Sequence, residues 1–254
     1  DEWNDLQDEK REIETDLSDM QPHRHFVRLQ ENEPEPTTVP DISDEYHSKA
    51  VPAPTAYNFR YSEDMNLYPS GPKSKFKANV EAIKLLKSIE SSHRPATPEE
   101  QIVLARYVGW GGLANAFNAK SDEWSREYQE LKALLTEDEY RAAMDSTITA
   151  YYTEPELIRH IYSALDRFGF KGGPDRKMLD PAMGTGNFYA VLPENLIGTK
   201  LCGVELDSIT GRIAKLLYPE AEILNTGYEN TRFEDGSFDV AVGNIPFHSI
   251  KVYD

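Results

Sequence analysis

The stretch Leu179-Asp180-Pro181-Ala182-Met183-Gly184-Thr185-Gly186-Asn187-Phe188 decides the fold. Residues 177–179 read as a short apolar strand running into an acid, and the chain then enters a glycine turn that opens a helical pattern over 186–192. Glycines let a backbone approach a ligand closely, and the amides at a helix start offer donors to an anionic group. Working outward, further strands are expected at 200–204, 222–224 and 238–242, with a helix over 209–217. Short apolar strands alternating with helical patterns specify a parallel sheet with crossover helices. The expected class is α/β, a Rossmann-like half-sheet of mainly parallel strands.

The second strand ends in Gly203-Val204-Glu205-Leu206-Asp207. An acid in that place can accept from both hydroxyls of a ribose. A dinucleotide site calls for the third glycine of G-x-G-x-x-G, which this loop lacks, so pyrophosphate binding loses ground. Loop and acid together fit an adenosine-containing ligand. Its candidate contacts are Asp180, Pro181, Ala182, Gly184, Gly186, Asn187, Phe188, Glu205 and Leu206.

Upstream, Phe76, Val80, Ile83, Leu86 and Ile89 recur at helical spacing on one face. A second helix opens at Thr97-Pro98-Glu99-Glu100, where Thr97 can cap, Pro98 suits the first turn and Glu100 can reach back to the cap amide. This helix is expected to carry Ile102, Leu104 and Tyr107. A third is expected over 125–135, and a fourth opens with the same capping logic at Thr136-Glu137-Asp138-Glu139. Residues 56–148 therefore read as a small helical N-terminal region. Within it, Val108-Gly109-Trp110-Gly111-Gly112-Leu113 is a glycine-rich turn around a large aromatic. Trp110 can stack on a base or fill the core of a tight interhelical turn, and the second is the plainer reading.

Residues 1–55 mix acids with Pro34, Pro36, Pro40, Pro52 and Pro54 and show little apolar periodicity. They are expected to be an acidic, mostly disordered tail or linker with one short helix near 8–17, a DNA-mimicking arm being the alternative. Residues 1–50 hold 15 Asp and Glu against 5 Lys and Arg, so they carry most of the net charge of -17. With 39% hydrophobic and 28% charged residues, the composition is that of a soluble globular protein. No run approaches the roughly 18 apolar residues of a membrane span. The single cysteine, Cys202, forms no internal disulfide, and a cytoplasmic location is expected. The chain opens at Asp1 inside a charged stretch and ends a few residues after Phe247, so it reads as a piece of a longer protein.

The fourth strand runs into Asp239-Val240-Ala241-Val242-Gly243-Asn244-Ile245-Pro246-Phe247. This resembles the (N/D/S)-P-P-(Y/F) motif of amino-group methyltransferases, with Ile245 in place of the first proline. The resemblance implies S-adenosylmethionine as cofactor and assigns 149–254 to the N-terminal part of a methyltransferase domain. It also implies a catalytic segment of Asn244, Ile245, Pro246 and Phe247. In that family the amide side chain and a neighbouring backbone carbonyl accept from the target amine, and the aromatic ring stacks on a base flipped out of the helix.

Ala150-Tyr151-Tyr152-Thr153-Glu154-Pro155-Glu156-Leu157-Ile158 resembles the (F/Y)-(Y/F)-T-P segment of the gamma-ordered DNA amino-methyltransferases. It adds Tyr152 and Thr153 as implied cofactor contacts. Thr153 also reads as a helix cap completed by Glu156, and both roles can hold at once. The segment order implies N6 of adenine over N4 of cytosine. The stretch 79–254 is similar to the front of large methyltransferase-helicase fusion proteins of bacterial mobile elements and phages, where Asn-(Val/Ile)-Pro-Phe is the usual form. In this chain the acid that would accept from the cofactor's adenine amine gives way to Asn225-Thr226-Gly227-Tyr228-Glu229, leaving Glu229 or Asn225 for that role. The resemblance implies DNA as substrate, held through regions beyond this chain, a helicase domain in the same parent, and no metal or catalytic cysteine. Two other readings are a protein glutamine-amide methyltransferase and a non-catalytic cofactor- or partner-binding module of a mobile-element protein.

Overall fold

The computed structural model describes residues 57–148 and 152–245, which belong to one compact unit. The tail at 1–55, Tyr151, Pro246 and Phe247 lie outside the described residues. The helical region begins with α1 (Pro72–Ser91), which buries Phe76, Val80, Ile83, Leu86 and Ile89 along the expected face. In α2 (Pro98–Ala105), Thr97 accepts from the Glu100 amide at 3.3 Å and Glu100 accepts from the Thr97 amide at 2.9 Å. After α3 (Ser125–Leu134), Thr136 and Glu139 repeat the box at 3.2 and 3.0 Å to open α4 (Glu137–Asp145). Each cap contributes about 1 kcal/mol.

α2 stops at Ala105, so Tyr107 lies in the turn beyond it. Gly109 and Gly112 adopt φ of +69° and +73° there. Trp110 is 1% exposed and packs edge-on against Phe76, Tyr107 and Phe117, the last at 5.3 Å between ring centres. It fills the core of the turn, and stacking on a base would require unpacking it. Asn79, fully buried on α1, clamps the same turn: its side chain accepts from the Val108 amide at 2.9 Å and donates to the Gly109 carbonyl at 2.6 Å.

α5 (Pro155–Arg167) corrects one expectation. Its N-cap is Glu154, with no side-chain cap, so Thr153 does not cap the helix. Pro155 carries no N–H and presets φ in the first turn, which fixes the helix start without a side-chain acceptor.

The sheet comprises β1 (Lys177–Asp180), β2 (Lys200–Glu205), β3 (Glu222–Asn225) and β4 (Val240–Ala241), in the order β3-β2-β1-β4 with every pairing parallel. α6 (Asn187–Ala190) and α7 (Ser208–Leu217) are the crossover helices, and Asp207 caps α7 by accepting from the Thr210 amide at 2.7 Å. The expected helix over 186–192 is cut to one turn because Leu192 precedes Pro193, which disfavours helical backbone. β4 is shorter than expected. Asp239 instead accepts from the Lys177 amide at 2.8 Å and pairs with Arg176 at 2.5 Å.

The helices dock on α7. Arg212 donates to Glu90 of α1 at 2.7 Å and to Glu139 of α4 at 2.6 Å, and Gln101 of α2 donates to the Leu216 carbonyl at 3.1 Å. Leu179, Cys202 and Val204 form a core cluster within the sheet that Leu224, Phe233 and Phe238 pack against. Among the described residues, no helix is long and apolar enough to cross a membrane.

Candidate functional site

Register sets the site. Asp180 pairs with Gly203, and Glu205 with Asn225, so both acids stand at the carboxyl edge of the sheet. The strand order reverses between β1 and β4, and in open parallel sheets ligands bind in the crevice at that switch. The two walls of the crevice touch. A Cβ at Gly243 would lie 2.5 Å from Asp180 Oδ1 and 3.2 Å from Pro181, so only glycine lets the chain after β4 close on the loop after β1. Asn244 and Ile245 follow this contact directly, both exposed, Ile245 at 64%.

The loop is built on Gly184 and Gly186, at φ of +57° and +86°. The Tyr218 ring backs Gly186, and its hydroxyl donates to the Gly186 carbonyl at 2.7 Å. In front of Gly184 stands Tyr152, whose ring would be 2.8 Å from a Cβ there. Asn187 donates to the Thr153 carbonyl at 3.0 Å. Tyr152 and Thr153 are thus joined to the loop residues from more than 30 positions away. Ala182 donates its amide to Asp180 at 3.2 Å. Phe188 is buried edge-on against Tyr162, on the core side of α6.

The two acids are held out of water. Asp180 is 1% exposed, and its Oδ2 has no partner among the described residues. Burial pushes its carboxyl up to about 7; the Ala182 amide opposes the rise and the Glu205 charge adds to it. Glu205 accepts from the Gly184 amide at 2.8 Å and from the Asp207 amide at 2.8 Å. Burial raises it as well, to about 7, against the pull of those amides. Desolvated carboxylates beside a cleft are a signature of ligand sites.

Beyond Glu205 the edge becomes apolar and open, with Leu206 75% exposed and Tyr228, just past β3, 50% exposed. Sequence reasoning passed over Tyr228, although an aromatic in a polar turn is a legible signal. Of the two candidates for an adenine-amine acceptor, Asn225 donates its amide nitrogen to the Glu205 and Asp207 carbonyls at 2.8 and 3.1 Å. Glu229 is exposed, folds back over Gly227, and accepts from Asn230 at 3.0 Å. Sequence reasoning also missed Tyr107 and Thr210. Tyr107 and Tyr152 both lie near Thr210, which donates to Asp207 at 2.6 Å, and burial raises both phenols far above their ordinary range. Nothing in the local sequence marks that proximity.

These residues fit an adenosine-bearing cationic ligand. Glu205 oxygens have lone-pair capacity for a ribose hydroxyl, and Asp180 Oδ2 is a buried acceptor without a hydrogen-bond partner among the described residues. Leu206 next to Glu205 is exposed apolar surface, and Tyr228 is half exposed with its ring 6.3 Å from that of Phe233.

No protein-family model matches the chain. A relative from Escherichia phage P1, the defense against restriction protein B, is 27% identical over 172 residues. The match covers 67% of this chain and 6% of that protein, so the chain spans only a small part of its relative's length. A solved structure, the methyltransferase subunit of a type I restriction-modification system from Streptococcus thermophilus, is 16% identical, covering 72% of this chain and 46% of that one, with a TM-score of 0.31.

Proposed function

We propose that this chain holds S-adenosylmethionine at the carboxyl edge of its sheet and serves a methyltransferase acting on an exocyclic amino group of a DNA base, N6 of adenine. One observation carries the reading: Gly243 closes on Asp180, so the Asn244-Ile245 segment adjoins the loop whose glycines and acids suit the cofactor. The name of the phage relative supports it, since a methylated adenine amine alters the donor pattern that sequence-reading proteins meet in the major groove.

When bound, S-adenosylmethionine supplies an electrophilic methyl group. Glu205 would accept from its ribose, and Asp180 would face its ammonium. Leu206 and Tyr228 would hold the adenine, with Glu229 the remaining candidate for its amine because Asn225 is spent on the backbone. Tyr152 and Thr153, tied to Gly184 and Asn187, shape the methionine end. The base amine is a poor nucleophile because its lone pair is delocalised into the ring. The Asn244 side-chain oxygen and the Ile245 carbonyl accept from it, which orients the nitrogen and favours its rehybridisation. The resemblance gives Phe247, after Pro246, the role of stacking on the flipped base. The parent protein acts in the cytoplasm, and a helicase domain in the same chain would supply access to the duplex.

The test is methylation of adenine-containing duplexes with tritiated cofactor by the full-length protein that carries this chain. Asn244→Ala is expected to lower turnover about 100-fold or more while leaving cofactor affinity nearly unchanged. Full activity in that variant would remove Asn244 from the mechanism. Labelling of a glutamine-bearing protein instead of DNA would overturn the substrate.

A further inference from the structure

Tyr152, whose ring stands against Gly184, also lines a cavity of about 590 Å³, framed by the loop before α1, the turn at Val108 and Gly111, and the start of α5. Its size suits a single nucleotide-sized ligand. Two half-exposed tyrosines, Tyr61 and Tyr68, stand in one wall with ring centres 6.2 Å apart. The Arg159 guanidinium lies 5.6 Å over the Tyr61 ring and pairs with Glu63 at 3.4 Å. Lys75 also faces the cavity and has no side-chain partner among the described residues. The remaining charged lining is acidic, from Glu63, Glu154 and Glu156.

That mixture selects among ligands. A purely anionic ligand meets three carboxylates, and a purely cationic one meets Lys75 and Arg159. A nucleotide carries both characters on one body: a phosphate for the cations, and a base with a stacking face and exocyclic amines for the tyrosines and carboxylates. Burial, together with Tyr61 and Glu154, pushes the Tyr68 hydroxyl up to about 12, so it remains a donor.

We propose that this cavity binds one unstacked, amine-bearing nucleotide of a single DNA strand, its base on Tyr61 and Tyr68 and its phosphate on Lys75 and Arg159. Choosing DNA as the source of the nucleotide rests on the function proposed above. Tyr152 lines the cavity and also stands against Gly184 of the loop, so the strand would run past the cofactor loop with one base parked near it.

The experiment titrates the full chain with fluorescein-labelled dA6 by anisotropy and, separately, with S-adenosylmethionine by calorimetry. Tyr61→Ala is expected to weaken dA6 about tenfold, the scale of one lost base stack. Lys75→Gln, which removes no packing, is expected to weaken it severalfold and flatten its salt dependence. Both variants should keep wild-type cofactor affinity, and dT6, lacking the amine, should bind less tightly than dA6. Undiminished dA6 binding in the Lys75 and Tyr61 variants, or dT6 binding as tight as dA6, would overturn the proposal. Uptake of cofactor without dA6 would do the same. Uptake of dA6 without cofactor would uphold the pocket and break the methyltransferase reading.

Discussion

The helical region and the carboxyl edge of the sheet treat their carboxylates in opposite ways. Glu139 on α4 is desolvated, which alone would raise it, yet hydrogen bonds from Lys87, the Thr136 amide and Arg212 hold it down to about 2. Asp180 is buried with one amide donor and Glu205 is held by backbone amides alone, with no cation on either among the described residues, and burial raises both to about 7. One region satisfies its charges internally and gains stability; the other leaves an oxygen without a hydrogen-bond partner among the described residues. Ligand sites are where natural proteins tolerate such imbalance, because the missing partner arrives with the ligand.

The largest expected effect contrasts two glycines of similar φ. Gly186→Ala forces a Cβ into Tyr218 as well as a left-handed backbone, and should cost about 3 kcal/mol. Gly112→Ala faces open space and should cost only about 1 kcal/mol. Denaturant midpoints at unchanged slope measure both, and equal losses would mean that Tyr218 moves aside freely.

Arg212→Ala comes next, at about 2 kcal/mol by the same measurement. It leaves Glu139 and Glu90 without their shared cation, although Lys87 still pairs with Glu139 at 2.8 Å. A loss below half that value would show that Arg212 does not hold the helices on α7.

The pH dependence should show both regions at once. Asp180 and Glu205 are raised above their ordinary values, so the folded state binds the extra protons and stability falls as pH rises through roughly 4 to 7. Glu139 is depressed, so its contribution is present above about 4.5 and is lost as pH falls toward 2. Melting temperature should therefore rise from pH 8 to pH 5 and drop again below 4.5. Glu205→Gln should flatten the upper limb only; a flat profile in the wild type would contradict the raised acids. At the small end, Lys77→Ala removes an exposed pair with Glu81 at 3.9 Å and should change stability by less than about 0.5 kcal/mol.

What was legible in the sequence was local. The two capping boxes, the apolar face of α1 and the first three strands each depend on residues within a few places of one another and are present as expected, whereas β4 keeps only two of the five residues expected of it. The Thr153 cap failed because Pro155 starts the helix unaided, and the α6 helix is short because Pro193 stops it early. The links that assemble the site were not legible. Asn79 clamps the Val108-Gly109 turn from 29 positions away, Glu205 holds Gly184 across 21, and Arg212 bridges 122 positions to Glu90. A side chain that satisfies distant backbone leaves no periodic trace. The roles of the glycines were half legible: close approach was foreseen, but Gly184 and Gly186 make room for Tyr152 and Tyr218 of the protein itself.

The most direct measurement is calorimetric titration of the folded chain with S-adenosylmethionine, wild type against Glu205→Ala. Removing an acceptor for the ribose should cost about 1 to 3 kcal/mol, a weakening of roughly 5- to 150-fold. Binding that is absent from the folded wild type, or undiminished in Glu205→Ala, would contradict a cofactor site at this edge of the sheet.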